Sequence, residues 1–220
     1  MLERFGTRIQ VGLIVAMALA GAWARISLPE GATVPVHFNA YGEANGWASA
    51  NLGLFVMPWT ALVLLAAQWI APRIDPRGDN LRKSGKAFGT IFLGITTVLA
   101  AAQVYIVVQS LQLAGPAPKL PMLLVGGLFV FMGNVLGKLR SNFTVGIRTP
   151  WTLSSERVWD QTHRFAGKAF VAAGLLLLVL AMSSLPPQWQ VAAISCAAIG
   201  AALASVLKSY LLWRRERGEA

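Results

Sequence analysis

The sequence predicts an all-α integral membrane protein: six transmembrane helices with both termini inside the cell, a long outer loop after the first helix, and an inner amphipathic helix between the fourth and fifth. Three observations predict it. Of 220 residues, 55% are hydrophobic and only 13% charged, and the mean hydropathy is +0.57, too apolar for a soluble domain of this length. Six apolar runs approach the roughly 20 residues needed to cross a ~30 Å hydrocarbon layer. Of the 19 Lys and Arg residues, alternating the loops across a bilayer leaves only Arg25 and Lys119 outside, the bias shown by cytosolic loops.

The first span is read as Ile9–Ile26. Arg4 and Arg8 before it and Ala22-Trp23-Ala24 within it give it some likeness to a cleavable signal, but Gly12, Ala16, Ala20 and Ala24 recur every fourth residue and favour a retained helix with a close-packing face. Leu52–Ala71 is the second span, ended by Pro72 and kinked at Pro58, which lacks a backbone donor. The third is Phe88–Leu113 and the fourth Pro121–Leu139, with Gly133 and Gly137 one helical turn apart. Ala169–Leu185 is the fifth, short unless the residues before it join, and Trp189–Trp213 the sixth, with Ala197, Ala201 and Ser205 as its small face. Such faces also allow oligomers. The chain divides into an amino-terminal membrane hairpin (1–72) with its extracytoplasmic loop (27–51), a third helix with linkers (73–120), and a carboxy-terminal region (121–220) holding a cytosolic motif (133–164).

The net charge of +10 is therefore topological first. Attraction to the lipid bilayer's anionic headgroups follows from it, and nucleic acid is not expected as a partner. The single cysteine, Cys196, lies among small apolar residues and is read as an inert core residue. No zinc spacing, phosphate-cradling glycine loop or paired midplane carboxylates occur, so no cofactor or metal is expected.

Two connections exceed what joining helices requires, and long loops are where recognition concentrates. The outer one alternates through Val34-Pro35-Val36-His37-Phe38 and then carries Asn39, Gly42, Asn45 and Gly46, residues suited to turns, before Trp47, an interfacial anchor. His37 and Glu43 lack a third metal ligand. In the inner one, Asn134 is expected to hydrogen-bond across the bundle and Thr152 to cap a helix with Glu156 in its first turn. Val158, Trp159, Thr162, Phe165 and Ala166 form a stripe facing the membrane. Arg157, Asp160, Gln161 and Arg164 then face water, with the arginines neutralising Glu156 and Asp160. Ser154 and Ser155 have no evident base, and the Asn142-Phe143-Thr144 sequon lies on the cytosolic side. The pass from Pro72 to Ala87 reads as an ordinary charged loop.

At these two loops the chain resembles a known family. Gly133-Asn134, Gly137-Lys138, Arg140-Ser141-Asn142-Phe143, the run Gly146 to Glu156, Val158-Trp159 and Thr162-His163-Arg164 resemble the SdpI family of bacterial membrane proteins. Leu28-Pro29, His37-Phe38-Asn39, Gly42 and Gly46-Trp47 resemble DUF1648, a small amino-terminal domain that often accompanies it. The resemblance implies a multi-pass protein of the bacterial inner membrane, in some members protective against a membrane-active peptide toxin and linked to cytosolic signalling. On this reading His37, Asn39, Glu43, Asn45 and Trp47 meet a peptide outside. Inside, Asn134, Lys138, Arg140, Asn142, Arg148, Thr149, Trp151, Ser154, Glu156, Trp159, His163 and Arg164 bind a ligand or a cytosolic signalling protein, without catalysis. Two other classes compete. One is a membrane-embedded enzyme or small-solute transporter with a polar cavity lined by Asn134, Arg140, Asn142, Arg148, Glu156 and His163; the other is a structural subunit.

Overall fold

The computed structural model describes residues 2–218, with side chains from residue 6, so the Arg4 side chain lies outside the described residues. Six helical rods run between two polar ends: α1 (Leu2–Ser27), α2 with α3 (Ala50–Gly53, Val56–Ile74), α5 (Gly85–Ser110), α6 (Leu120–Leu136), α8 (Glu156–Met182) and α9 (Pro187–Glu216). Short helices α4 (Gly78–Lys83) and α7 (Pro150–Ser154) sit at one end. A hairpin of β1 (Thr33–Phe38) and β2 (Ala44–Ser49) caps the other. Five of the rods are long and apolar enough to cross a membrane. The remaining rod, α6, has 17 residues, about 26 Å at 1.5 Å per residue. The chain is thus mostly helical, as expected of an all-α membrane protein, and the two-stranded hairpin is its one sheet among the described residues.

Residues Leu54 and Phe55 interrupt the second rod, and the cause is Pro58. It has no N–H to give the Leu54 carbonyl four residues back. Gln103 of α5, fully buried, donates to that carbonyl instead at 2.8 Å. Pro72, expected to end the rod, lies inside it, and the helix runs to Ile74.

The packing face of α1 differs from the expected one. Gly12 and Ala16 point outward, whereas Gln10, Met17, Gly21 and Ala24 are buried. A Cβ on Gly21 would lie 2.6 Å from the Leu54 carbonyl oxygen, so the bare glycine sets how closely α1 and the second rod approach. In α6 and α8, glycines seven residues apart face one another: Gly126 against Gly174, and Gly133 against Gly167, where an added Cβ would come within 2.6 Å of the opposing carbonyl. On α9 the expected small face is present, with Ala201, Ser205 and also Ser209 buried. Cys196 is exposed rather than in the core.

The fifth span and the inner amphipathic helix are one element. α8 has 27 residues, about 40 Å, so its first turns extend the rod into the polar end. The stripe expected to face lipid is turned inward: Val158, Trp159, Thr162 and Ala166 are buried against protein, and only Phe165 is exposed. Trp159 and Ala166 join the core cluster formed with Leu81, Phe88, Ile91, Leu136 and Leu139.

Candidate functional site

At the inner-motif end, the chain leaving α6 turns back on itself and ties a polar knot. Asn142, fully buried, does much of the tying. Its Oδ1 accepts from the N–H groups of Thr144 (2.9 Å) and Val145 (2.8 Å), while its Nδ2 donates to the Arg140 carbonyl at 2.8 Å. Three of the amide's bonding positions are thereby filled by backbone, as burial demands.

Trp159 and His163 form the floor. Their rings stack 3.9 Å apart, and the indole N–H donates to the Leu139 carbonyl at 2.7 Å. The His163 Nε2 accepts from the Ile147 N–H at 2.9 Å, so the proton sits on Nδ1, 2.9 Å from the Trp159 carbonyl. This pattern requires a neutral imidazole, because a doubly protonated ring offers no acceptor. Gly146 lets the backbone pass over that ring. It has φ +123°, and a Cβ there would be 2.4 Å from His163 Nε2.

Two caps follow. Thr149 caps α7 in a reciprocal box with Thr152, and Ser155, not Thr152, caps α8, with Glu156 in its first turn. Thr149 also meets Ser209 of α9 at 3.2 Å. Trp151 packs on Tyr210 and Trp213, with centroids 5.1 and 6.5 Å away. The motif thus fastens the last helix to the bundle.

The loop after α3, expected to be ordinary, supplies half of the knot. Asp75 Oδ2 accepts from the Phe143 N–H (2.9 Å) and the Thr144 hydroxyl (2.6 Å). Arg77 donates to the Ser141 hydroxyl and, at 2.7 Å, to the Leu153 carbonyl. Asn80 donates to the Ser141 carbonyl at 2.8 Å, and the Ser84 hydroxyl accepts from the Arg140 N–H at 2.9 Å. A close alternation of acids, bases and an amide in Asp75-Pro76-Arg77-Gly78-Asp79-Asn80 was the available signal.

Of the expected inner residues, Asn142, Thr149, Trp151, Trp159 and His163 are brought together in this way. Arg140 joins it through its backbone alone and Arg148 at its edge, and the remaining ones stay outside it. Asn134 is exposed and donates to the Val130 carbonyl of its own helix rather than across the bundle. Arg148 bonds the Phe143 carbonyl at 2.5 Å, and Ser154 bonds the Trp151 carbonyl at 3.1 Å. Lys138, Arg140, Glu156 and Arg164 have exposed side chains. Glu156 and Asp160 make no ion pair with Arg157 or Arg164. The salt bridge among the described residues is Arg82 with Asp79, whose carboxyl the guanidinium holds below the usual range. The six residues of the cavity reading do not converge: Asn142 and His163 are buried and bonded, and the other four are exposed. No cluster of three metal-ligating side chains occurs among the described residues.

The opposite end is a docked hairpin. Asn39 and Gly42 make its turn, with Asn39 Oδ1 accepting from the N–H of Tyr41 (2.9 Å) and Glu43 (3.1 Å) and Gly42 at φ +77°. Asn45 and Gly46, expected in turns, lie in β2 instead, where Gly46 leaves room for His37. His37 Nδ1 pairs with Asn45 Oδ1 at 2.6 Å, Asn39 with Glu43 at 3.0 Å, and Trp47 is 60% exposed. Tyr105 of α5, a residue the sequence reading passed over, seats the tip. Its hydroxyl donates to the Gly42 carbonyl at 2.8 Å and accepts from the Ala117 N–H at 3.2 Å.

Fold and site together define a multi-pass membrane protein with a strand-hairpin cap at one polar end and a closed hydrogen-bonded knot at the other. Residues 138–209 match the SdpI/YfhL protein family, and residues 12–62 match the domain of unknown function DUF1648. The chain is similar to the immunity protein SdpI of Bacillus subtilis (strain 168), 25% identical over 156 residues that cover 70% of each protein. The two matches take in the outer-loop resemblance and most of the inner one, with Gly133 and Asn134 falling just before the SdpI/YfhL match. No solved structure matches the chain.

Proposed function

We propose that this chain is an immunity-type protein of the bacterial inner membrane that protects against, or senses, a membrane-active peptide toxin without catalysing a reaction. The observation that carries the reading is the similarity to an immunity protein over 70% of the chain. The geometry supports it. The inner motif spends its polar groups on backbone and neighbouring helices, leaving a rigid anchor where a reaction centre would need a cavity with converging free groups. The outer hairpin does the reverse, presenting His37, Asn45, Glu43 and Trp47 at its surface.

In this reading six rods cross the bilayer, α6 included, with both termini and the knot in the cytosol. The hairpin meets the peptide, and the knot presents Lys138, Arg140 and Arg164 to a cytosolic partner. Expression in a strain sensitive to a membrane-active peptide tests it: survival should rise, and Trp47→Ala with Glu43→Gln should remove the protection while protein levels hold. Neither protection nor a transcriptional response against any peptide tested would defeat the proposal.

A further inference from the structure

Between α1, α3 and α5, at the basic end of the bundle, lies a cleft of about 560 Å³ that neither the knot nor the hairpin uses. Its lining changes character with depth. Lys86 stands at the top, exposed and without an ion pair among the described residues. Beside it, Arg82 is already held by Asp79 and by the Pro72 carbonyl at 2.6 Å, so it adds positive potential rather than a free donor. Trp69 flanks the cleft, 67% exposed, with the Arg73 guanidinium 3.8 Å above its ring. An exposed indole paired with arginine marks headgroup depth.

About one turn further in, the lining becomes amide. Gln68 accepts from Gln10 at 2.9 Å through Oε1, which leaves its own Nε2 directed at Gly89 of α5. That glycine keeps the passage open: a Cβ would meet Gln68 Nε2 at 3.6 Å, an ordinary contact. Deeper still the walls are Leu65 and Leu93. From Lys86 to Leu93 is about 10 Å along α5 at 1.5 Å per residue. Cation, amide donor and hydrocarbon therefore follow one another over the distance that separates a phosphate, an ester carbonyl and the first methylenes of a phospholipid.

We propose that this cleft is a specific site for one anionic phospholipid, with its phosphate at Lys86, an ester carbonyl at Gln68 Nε2 and an acyl chain along Leu65 and Leu93. The site stands on membrane embedding alone and is independent of the immunity reading. An anionic lipid wedged there would bridge three rods that otherwise leave a gap, and would tie the bundle to the leaflet at its basic end.

Native mass spectrometry of the full chain in detergent, titrated with phosphatidylglycerol or phosphatidylcholine, tests the proposal. One phosphatidylglycerol should be retained in preference to phosphatidylcholine. Lys86→Gln should cut that preference about fivefold, the factor for one basic residue near an anionic surface. Gly89→Leu should block both lipids by filling the passage. Lys86 is exposed, so its variant stays folded and decides the matter should Gly89→Leu destabilise the bundle. Equal retention of the two lipids, an unchanged preference in Lys86→Gln, or displacement of phosphatidylglycerol by inorganic phosphate at equal concentration would overturn it.

Discussion

Replacing Gly146 with alanine should loosen the inner knot more than any other single-methyl change in the motif. The backbone there has φ +123°, and the new Cβ would sit 2.4 Å from His163 Nε2 and 3.2 Å from the Trp159 ring. Two costs add. Holding a non-glycine residue in that region of conformational space costs about 1–3 kcal/mol. Pushing the strand away breaks the Ile147 N–H bond to a buried imidazole, which costs about 1–3 kcal/mol because Nε2 is left unpaired. A combined loss of roughly 2–6 kcal/mol corresponds to about 4–24 °C in Tm for a chain of this length. Thermal unfolding of purified protein in one detergent, followed by tryptophan fluorescence, measures it. Gly127→Ala serves as the control, since nothing lies within 4 Å of its Cβ, and alanine favours a helix by up to about 1 kcal/mol. If Gly146→Ala melted within 2 °C of the parent, the claim that this glycine is required by the His163 contact would fail.

Four further outcomes are expected. Gln103→Leu should cost about 1–3 kcal/mol by orphaning the Leu54 carbonyl that Pro58 cannot serve; a neutral result in the same melting assay would mean water takes over the bond. Asp75→Asn should cost a similar amount, because Asp75 Oδ1 accepts from the Arg77 backbone N–H at 2.7 Å while Oδ2 accepts from Phe143 and Thr144, and an amide has only one accepting atom for the two sides, whereas Asp79→Asn, exposed, should change little. Gly133→Ala should force α6 and α8 apart at a cost of about 1–3 kcal/mol, and protection against Gly133→Ala by a compensating change at Gly167 is not available because both are glycine. In a Cys196→Ala background, cysteine at Glu30 should react with an impermeant maleimide on intact cells and cysteine at Ser154 should not; the reverse labelling would invert the proposed topology.

Hydropathy made the rods legible because each must hide its backbone polar groups from lipid, and that demand is written into every residue of a run. It left their ends uncertain. The fifth rod begins thirteen residues before Ala169, at Glu156, because its first turns are buried by protein rather than lipid, and burial by protein tolerates Trp159, Thr162 and His163 where lipid does not. A helical stripe states which residues share a face; it does not state what covers that face. The same ambiguity turned Gly12 and Ala16 outward on α1. The hairpin was half legible: alternation marked β1, but Asn45 and Gly46 carry turn propensity that cross-strand pairing with His37 overrides. Least visible was the Asp75–Ser84 contribution, since its partners lie about sixty residues away and no local pattern encodes them.

The two polar ends solve opposite problems, and the difference bears on how a signal could pass between them. At the inner end, hydrogen bonds from Asp75, Arg77, Asn80 and Ser84 reach the segment that leaves α6, while Thr149 and Trp151 reach α9, so the second, third, fourth and sixth rods are fastened around the head of α8. At the hairpin end, the hydrogen bonds between the hairpin tip and the bundle run from Tyr105 to Gly42 at 2.8 Å and, more weakly, from Tyr41 to Gln188 at 3.4 Å. A peptide that displaced the hairpin would therefore break few hydrogen bonds, and its main cost would be exposing Val34, Val36 and Phe38, which pack with Ala24, Ile106 and Val107. Tyr105→Phe removes the hydroxyl that makes the tie while keeping the ring that packs on Phe38 at 4.7 Å. It should leave the knot unchanged and raise the reactivity of a cysteine placed at Val34, fully buried beneath the cap, and equal reactivity in the two backgrounds would show that Tyr105 does not hold the cap.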